Sequence, residues 1–153
     1  MNAQSWFEYL RALVVEQADL RLKLEEAEAI TAPKGQQFGS IGHGSGAGDT
    51  STRIIKAMEA KEPYRLKYER RQMALERMLE VATTILYGAD GRGGLAKERC
   101  SADADCILGY YLLAMSWREV ADELVRPDSK DGPQWCKRRA YRAFEWMDAR
   151  RYH

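Results

Sequence analysis

Histidine is nearly missing from this chain: His43 lies in a glycine-rich stretch and His153 is the last residue. Acid–base work near neutral pH leans on histidine, and zinc sites need histidine or cysteine at tight spacing. The three cysteines, Cys100, Cys106 and Cys136, form no Cys-x-x-Cys pair. No metal site and no cofactor are expected, and the thiols should be free in a reducing cytoplasm, with Cys136 in the core. Gly-x-Ser-x-Gly and His-Glu-x-x-His are both absent. Asp103 and Asp105 lie two apart on a predicted helix, so they diverge instead of sharing a site. With no acid and base placed for a joint task, no enzyme is expected. Nor is there a run of about 20 apolar residues to span a bilayer. The opening Met1–Tyr9 lacks a basic region followed by an apolar core, so no signal peptide is expected. No β pattern of convincing length occurs.

Charge of one sign is also lacking, since the net charge is +1. Its distribution says more. Residues 1–30 carry three basic against six acidic residues, whereas residues 126–153 carry eight basic against four acidic. An acidic head and a basic tail suit a chain whose C-terminal part meets nucleic acid.

What is present is helical periodicity. Trp6, Leu10, Leu13, Gln17, Leu20, Leu24 and Ala27 recur in steps of four and three, a heptad seam over residues 6–29 with Ser5 as its expected cap. The narrow seam wants a partner helix. Dimerisation through Leu10, Leu13, Leu20 and Leu24 is expected, the alternative being packing within the chain. Residues 31–52 interrupt the pattern with Pro33 and glycines 35, 39, 42, 44, 46 and 48. Gly42-His-Gly-Ser-Gly-Ala-Gly resembles a phosphate loop only superficially. Asp49 stands where such a loop needs Lys, and a helix, not a strand, precedes it. A flexible linker is the expectation. A second helix follows over about 51–87, with Pro63 expected to kink or interrupt it. Tyr68, Gln72, Leu75, Leu79, Ala82 and Leu86 repeat the seam. Gly88 should end the helix as its C-cap.

Ser101 should cap a helix through Ile107, Leu108, Tyr111 and Leu112. Ser116 and Glu119 then form a capping box ahead of Val120, Ala121 and Leu124. Pro127 and Gly132 forbid continuation, and Pro133 suits the first turn of a new helix. In that helix Cys136, Ala140, Ala143 and Met147 line one side, while Gln134, Lys137, Arg138 and Arg142 point elsewhere. A capped helix, a turn and a basic helix outline a helix-turn-helix reader of duplex DNA.

Tyr110, Tyr111 and Leu112, the run Met115-Ser-Trp-Arg-Glu-Val-Ala, Leu124 and the run Lys137-Arg-Arg-Ala-Tyr-Arg-Ala resemble region 4 of sigma-70-type factors. Long helix, glycine-rich linker, long helix and compact end are in turn similar to phage- and prophage-encoded regulators of the ArpU and RinA type. The resemblance implies a cytoplasmic regulator of transcription in a bacterial host, with RNA polymerase as a further partner.

The expected fold is all-α: residues 1–88 as a long-helix pair linked through 31–52, and 100–153 as a three-helix DNA-binding domain. Gln134, Arg138 and Lys137 are assigned to base edges, and Arg139, Arg142, Lys130 and Arg126 to phosphates. Trp117, Val120, Ala121, Leu124, Ala140 and Phe144 are assigned to the head's core. Two other functions fit the layout: a DNA-packaging protein like a small terminase subunit, or a module that binds polymerase instead of DNA.

Overall fold

The computed structural model describes residues 1–31, 47–90, 92–124 and 130–150. All named elements among them are helices: α1 (Ala3–Thr31), α2 (Ala47–Tyr87), α3 (Leu95–Glu98), α4 (Ser101–Ile107), α5 (Trp117–Leu124) and α6 (Gly132–Ala149), with a π-helical turn (Leu108–Leu112) continuing α4. The chain is all-α. The glycine-rich stretch 32–46 and Arg126 lie outside the described residues.

Two compact units are present: residues 1–16 with 73–153, and residues 17–72. The division cuts across both long helices.

In the unit 17–72, Leu20 and Ala27 are buried. The Gln17 amide donates to the Tyr68 carbonyl at 3.1 Å and to Gln72 Oε1 at 2.9 Å. Farther along α1, Glu28 meets Lys61 at 3.7 Å. Rising numbers on α1 against falling numbers on α2 mean an antiparallel pair. A buried polar seam residue finds its partners in one alignment only, so Gln17 fixes the register. α2 runs unbroken past Pro63, which corrects the expected interruption. Pro63 is exposed, so the Glu59 carbonyl that it leaves without a backbone donor can turn to water. The residue still costs the helix a bond and a steric clash. Pro63→Ala should therefore stabilise the chain by about 1–3 kcal/mol, read as a higher urea midpoint at unchanged slope.

In the other unit, α1 supplies Ala3, Phe7 and Leu10 to a core shared with Leu75, Ala82 and Leu86 of α2, Ile107 and Tyr111, and Phe144 and Met147 of α6. The Phe7 ring lies 6.0 Å from Tyr111 and 5.4 Å from Phe144. Leu10 and Leu20 are thus covered within one chain, and Leu13 and Leu24 are partly covered. Leu10 and Leu20 have the cover within the chain that was the alternative to a dimer.

Two caps also differ. α1 starts at Ala3, two residues before the expected cap. Asn2 Oδ1 accepts the Ser5 N–H at 2.8 Å, and Asp148 Oδ1 accepts the Ala3 N–H at 2.7 Å. Ser5 is therefore inside the helix. Ser101 is likewise the first residue of α4; Cys100 holds the cap position, with no side-chain cap bond. Gly88 does end α2: its φ is +81°, and its N–H donates to the Thr84 carbonyl at 2.8 Å. That left-handed conformation favours glycine.

The π turn widens the chain's path ahead of α5. Leu113 N–H reaches back five residues to the Leu108 carbonyl at 3.0 Å, and Met115 N–H donates to the Gly109 carbonyl at 3.0 Å. Ala114, with φ +55°, turns the backbone toward α5. α5 comes so close that a Cβ on Gly109 would stand 2.9 Å from a Val120 methyl. Valine is stiff at χ1 and cannot swing clear cheaply. Gly109→Ala should cost about 1–3 kcal/mol by overpacking. Restored stability in Gly109→Ala/Val120→Ala, relative to Val120→Ala alone, would identify that methyl as the obstacle.

Candidate nucleic-acid interface

The N-terminus of α5 is fixed by a reciprocal pair of bonds. Glu119 N–H donates to Ser116 Oγ at 3.2 Å, and Ser116 N–H donates to Glu119 Oε2 at 2.7 Å. The Ser116 backbone bond, with help from its side chain, holds the Glu119 carboxyl below the usual carboxylate range. This is the capping box read from the sequence, and it satisfies helix-end donors that would otherwise lack partners.

Trp117, the first residue of α5, stacks on Tyr110 with centroids 4.0 Å apart and planes 6° apart. On Tyr110 in turn sits the Arg11 guanidinium, 3.8 Å from the ring centroid. Arg11 also donates to the Tyr110 carbonyl and, at 3.1 Å, to the Met115 carbonyl. One side chain of α1 thus caps the end of the π turn and clamps the start of α5. Val120 and Ala121 of α5 are buried against Cys106 and Cys136. Burial pushes both thiols above their ordinary pKa. Leu124, expected in the core, is 37% exposed. It borders a groove of about 360 Å³ together with Leu108, Leu113, Met115 and Val120.

α6 has one wholly buried side: Cys136, Ala140, Ala143, Phe144 and Met147. Pro133 occupies its first turn as read from the sequence. Gln134, Arg138, Tyr141, Arg142 and Glu145 form one exposed stripe in steps of three and four. Lys130 is exposed just ahead of it. Lys137 is half-buried, its ammonium 5.7 Å from the Tyr141 ring centroid. Trp135, at 39% exposure, lies under the Arg139 guanidinium at 4.7 Å.

Arg139, assigned to phosphates, makes its bonds within the chain. Its Nε donates to Asp103 Oδ1 at 2.6 Å, and its Nη2 donates to Cys100 Sγ at 3.0 Å. Asp103 also accepts from Arg99 Nε at 2.5 Å, and its side chain is 2% exposed. Burial alone would lower the Arg139 pKa; its hydrogen bond and charge attraction to Asp103 outweigh that and raise it. Arg139 thus shares the buried Asp103 carboxylate with Arg99 and ties α6 to α4. Asp105 instead accepts from the Tyr87 hydroxyl at 2.6 Å, so the two aspartates do face different partners. Asp103 and Arg11 were not singled out as structural residues in the sequence. Nothing local marks Arg11. The spacing Arg99–Asp103, four apart, was the available signal for the aspartate.

Of the predicted reading set, Gln134, Arg138 and Arg142 share one exposed stripe, with Lys137 beside it. Lys130 precedes the helix, and Arg139 is turned inward. Among the described residues no group of three His, Cys, Asp or Glu side chains could hold a metal ion, and no helix is long and apolar enough to cross a membrane. No protein-family model, no curated protein and no solved structure matches the chain.

Proposed function

We propose that this chain is a sequence-specific DNA-binding regulator of transcription, of the phage- or prophage-encoded kind, with α5 and α6 as its helix-turn-helix. One observation carries the reading. Gln134, Arg138 and Arg142 follow at four-residue steps along the exposed side of α6, whose opposite side is buried. Such a helix can enter a major groove without unfolding anything. Gln134 and Arg138, nearest its N-terminus, suit adenine and guanine edges, respectively. Arg142 and Lys130 suit phosphates, which set register without reading sequence.

Selection from a random duplex pool, followed by binding across a salt series, tests the proposal. A selected motif with a steep salt dependence is the expected result; no binding at low salt rejects it. On the selected site, Arg138→Ala should cost about 1–3 kcal/mol and relax preference at one position. Arg142→Ala should weaken all sequences alike and lower the salt slope by about 1. Equal losses on every sequence for both variants would reject the base-reading role of Arg138.

Glu145 lies on the same stripe, and a carboxylate there repels phosphate. It favours a second reading, in which the face meets a protein such as RNA polymerase. That reading expects polymerase binding with no DNA affinity at any salt concentration.

A further inference from the structure

The groove that Leu124 borders lies wholly within the unit of residues 1–16 and 73–153. One wall is Leu108 of the π turn, with Leu113 and Met115 just beyond it; the other is Val120 and Leu124 of α5. Gly109 lies between them, where the two elements approach too closely for a Cβ. Leu113 is 61% exposed, so the rim is apolar as well. The groove's volume of about 360 Å³ falls within the roughly 300–1,000 Å³ of small-molecule sites, which are mostly apolar and carry a few placed polar groups.

The charges beside the groove decide the sign of what it holds. Asp105 of α4 and Glu123 of α5 put one carboxylate on each wall, and among the described residues no basic side chain lines it. One Asp105 oxygen accepts the Tyr87 hydroxyl at 2.6 Å, a bond that holds the carboxylate in place. Glu123 is exposed. A neutral apolar ligand would strip water from these carboxylates and return no bond, and an anion would be repelled. A ligand with an apolar body and a protonated amine suits both features. Its body leaves water against the leucines, and its ammonium donates charge-assisted bonds to the carboxylates. The Met115 thioether is unbranched and adapts to alkyl and aryl bodies alike.

We propose that this groove binds a small organic cation, an alkyl or aryl body carrying one amine. The site shares no residue with the exposed stripe of α6, and it does not depend on DNA binding.

Titration of the full chain with phenylbutylamine, phenylbutanol and phenylbutyrate tests it. The three probes share one body and differ in charge at its end, and amide shifts in NMR spectra report where each binds. The amine is expected to saturate at about millimolar concentration, as its small size dictates, with shifts confined to the π turn and α5. It should bind about tenfold more tightly than the acid, with the alcohol between them. Glu123→Gln should weaken the amine about threefold and leave the alcohol unchanged. Leu113→Ser/Leu124→Ser should weaken amine and alcohol alike by about tenfold, with an unchanged far-UV circular dichroism spectrum because both side chains are exposed. Absence of saturation, shifts spread over both units, or a Glu123→Gln chain that keeps its full preference for the amine would each overturn the proposal. So would an alcohol that binds as tightly as the amine, which would mark the groove as an apolar face for a protein partner.

Discussion

Replacing Phe7 with alanine is expected to cost about 3–5 kcal/mol, the usual toll for emptying a buried phenylalanine site. A domain's whole stability is only about 5–15 kcal/mol, so the substitution should leave the chain near its unfolding threshold. Phe7 is 1% exposed, although it sits far from α6 in sequence. Its ring touches Tyr111 and Phe144, so it seals the junction between the π turn and α6. Collapse around the cavity is hindered, because close neighbours hold their own rings in place: Tyr111 meets Phe144 edge-on at 5.3 Å. Urea unfolding followed by circular dichroism measures the loss. Ala12→Ser, at an exposed site on the same helix, should stay within about 0.5 kcal/mol. A Phe7→Ala loss below about 1 kcal/mol would mean that α1 does not belong to the folded head. By the same reasoning residues 100–153 expressed alone should lack stable structure, since they leave behind Phe7, Leu10, Leu75 and Leu86.

That dependence on α1 was hidden in the sequence for a physical reason. The heptad seam through Trp6, Leu10 and Leu13 is the stronger pattern, and it passes beside Phe7. A second row, Ala3, Phe7, Leu10, in steps of four and three, was available but shares Leu10 with the first. Periodicity tells which residues seek cover; it does not name what covers them. The same gap explains the leucines, whose spacing is identical whether the partner helix is α2 or another chain. Local features fared better. The Ser116–Glu119 box, the left-handed Gly88 and the buried row Cys136, Ala140, Ala143 and Met147 each depend on residues a few positions apart, and each is in place. Pro63 shows the limit of a local rule: its helical penalty is real, but α2 continues through it on the exposed side. On α6, spacing places Arg138, Arg139 and Arg142 alike off the apolar row. Only the fold distinguishes them, because the partner of Arg139 stands 36 residues away.

Arg139→Ala is therefore expected to act on stability and not on phosphate binding. The substitution leaves Asp103, with its side chain 2% exposed, holding one arginine where it held two. Removing one partner of a buried ion pair costs about 3–5 kcal/mol. Arg99 stays in place, and the lost guanidinium was itself 30% exposed, so the expected loss is nearer 2–3 kcal/mol. The Trp135 ring also loses the cation above it, a contact worth about 0.5–1 kcal/mol at an exposed site. If Arg139 were a phosphate ligand, the result would be different: near-native stability and a salt slope lowered by about 1. Measuring both quantities on Arg139→Ala and Arg142→Ala separates the two roles. The expected pattern is crossed, with the first variant losing stability at an unchanged salt slope and the second losing slope at unchanged stability. Arg139→Lys should recover little, because a point charge on a flexible stem cannot reproduce bonds to both Asp103 and Cys100. A stable Arg139→Ala variant with a reduced slope would place Arg139 in the phosphate set, and the tie between α6 and α4 would then rest on the packing of Cys106 against Cys136.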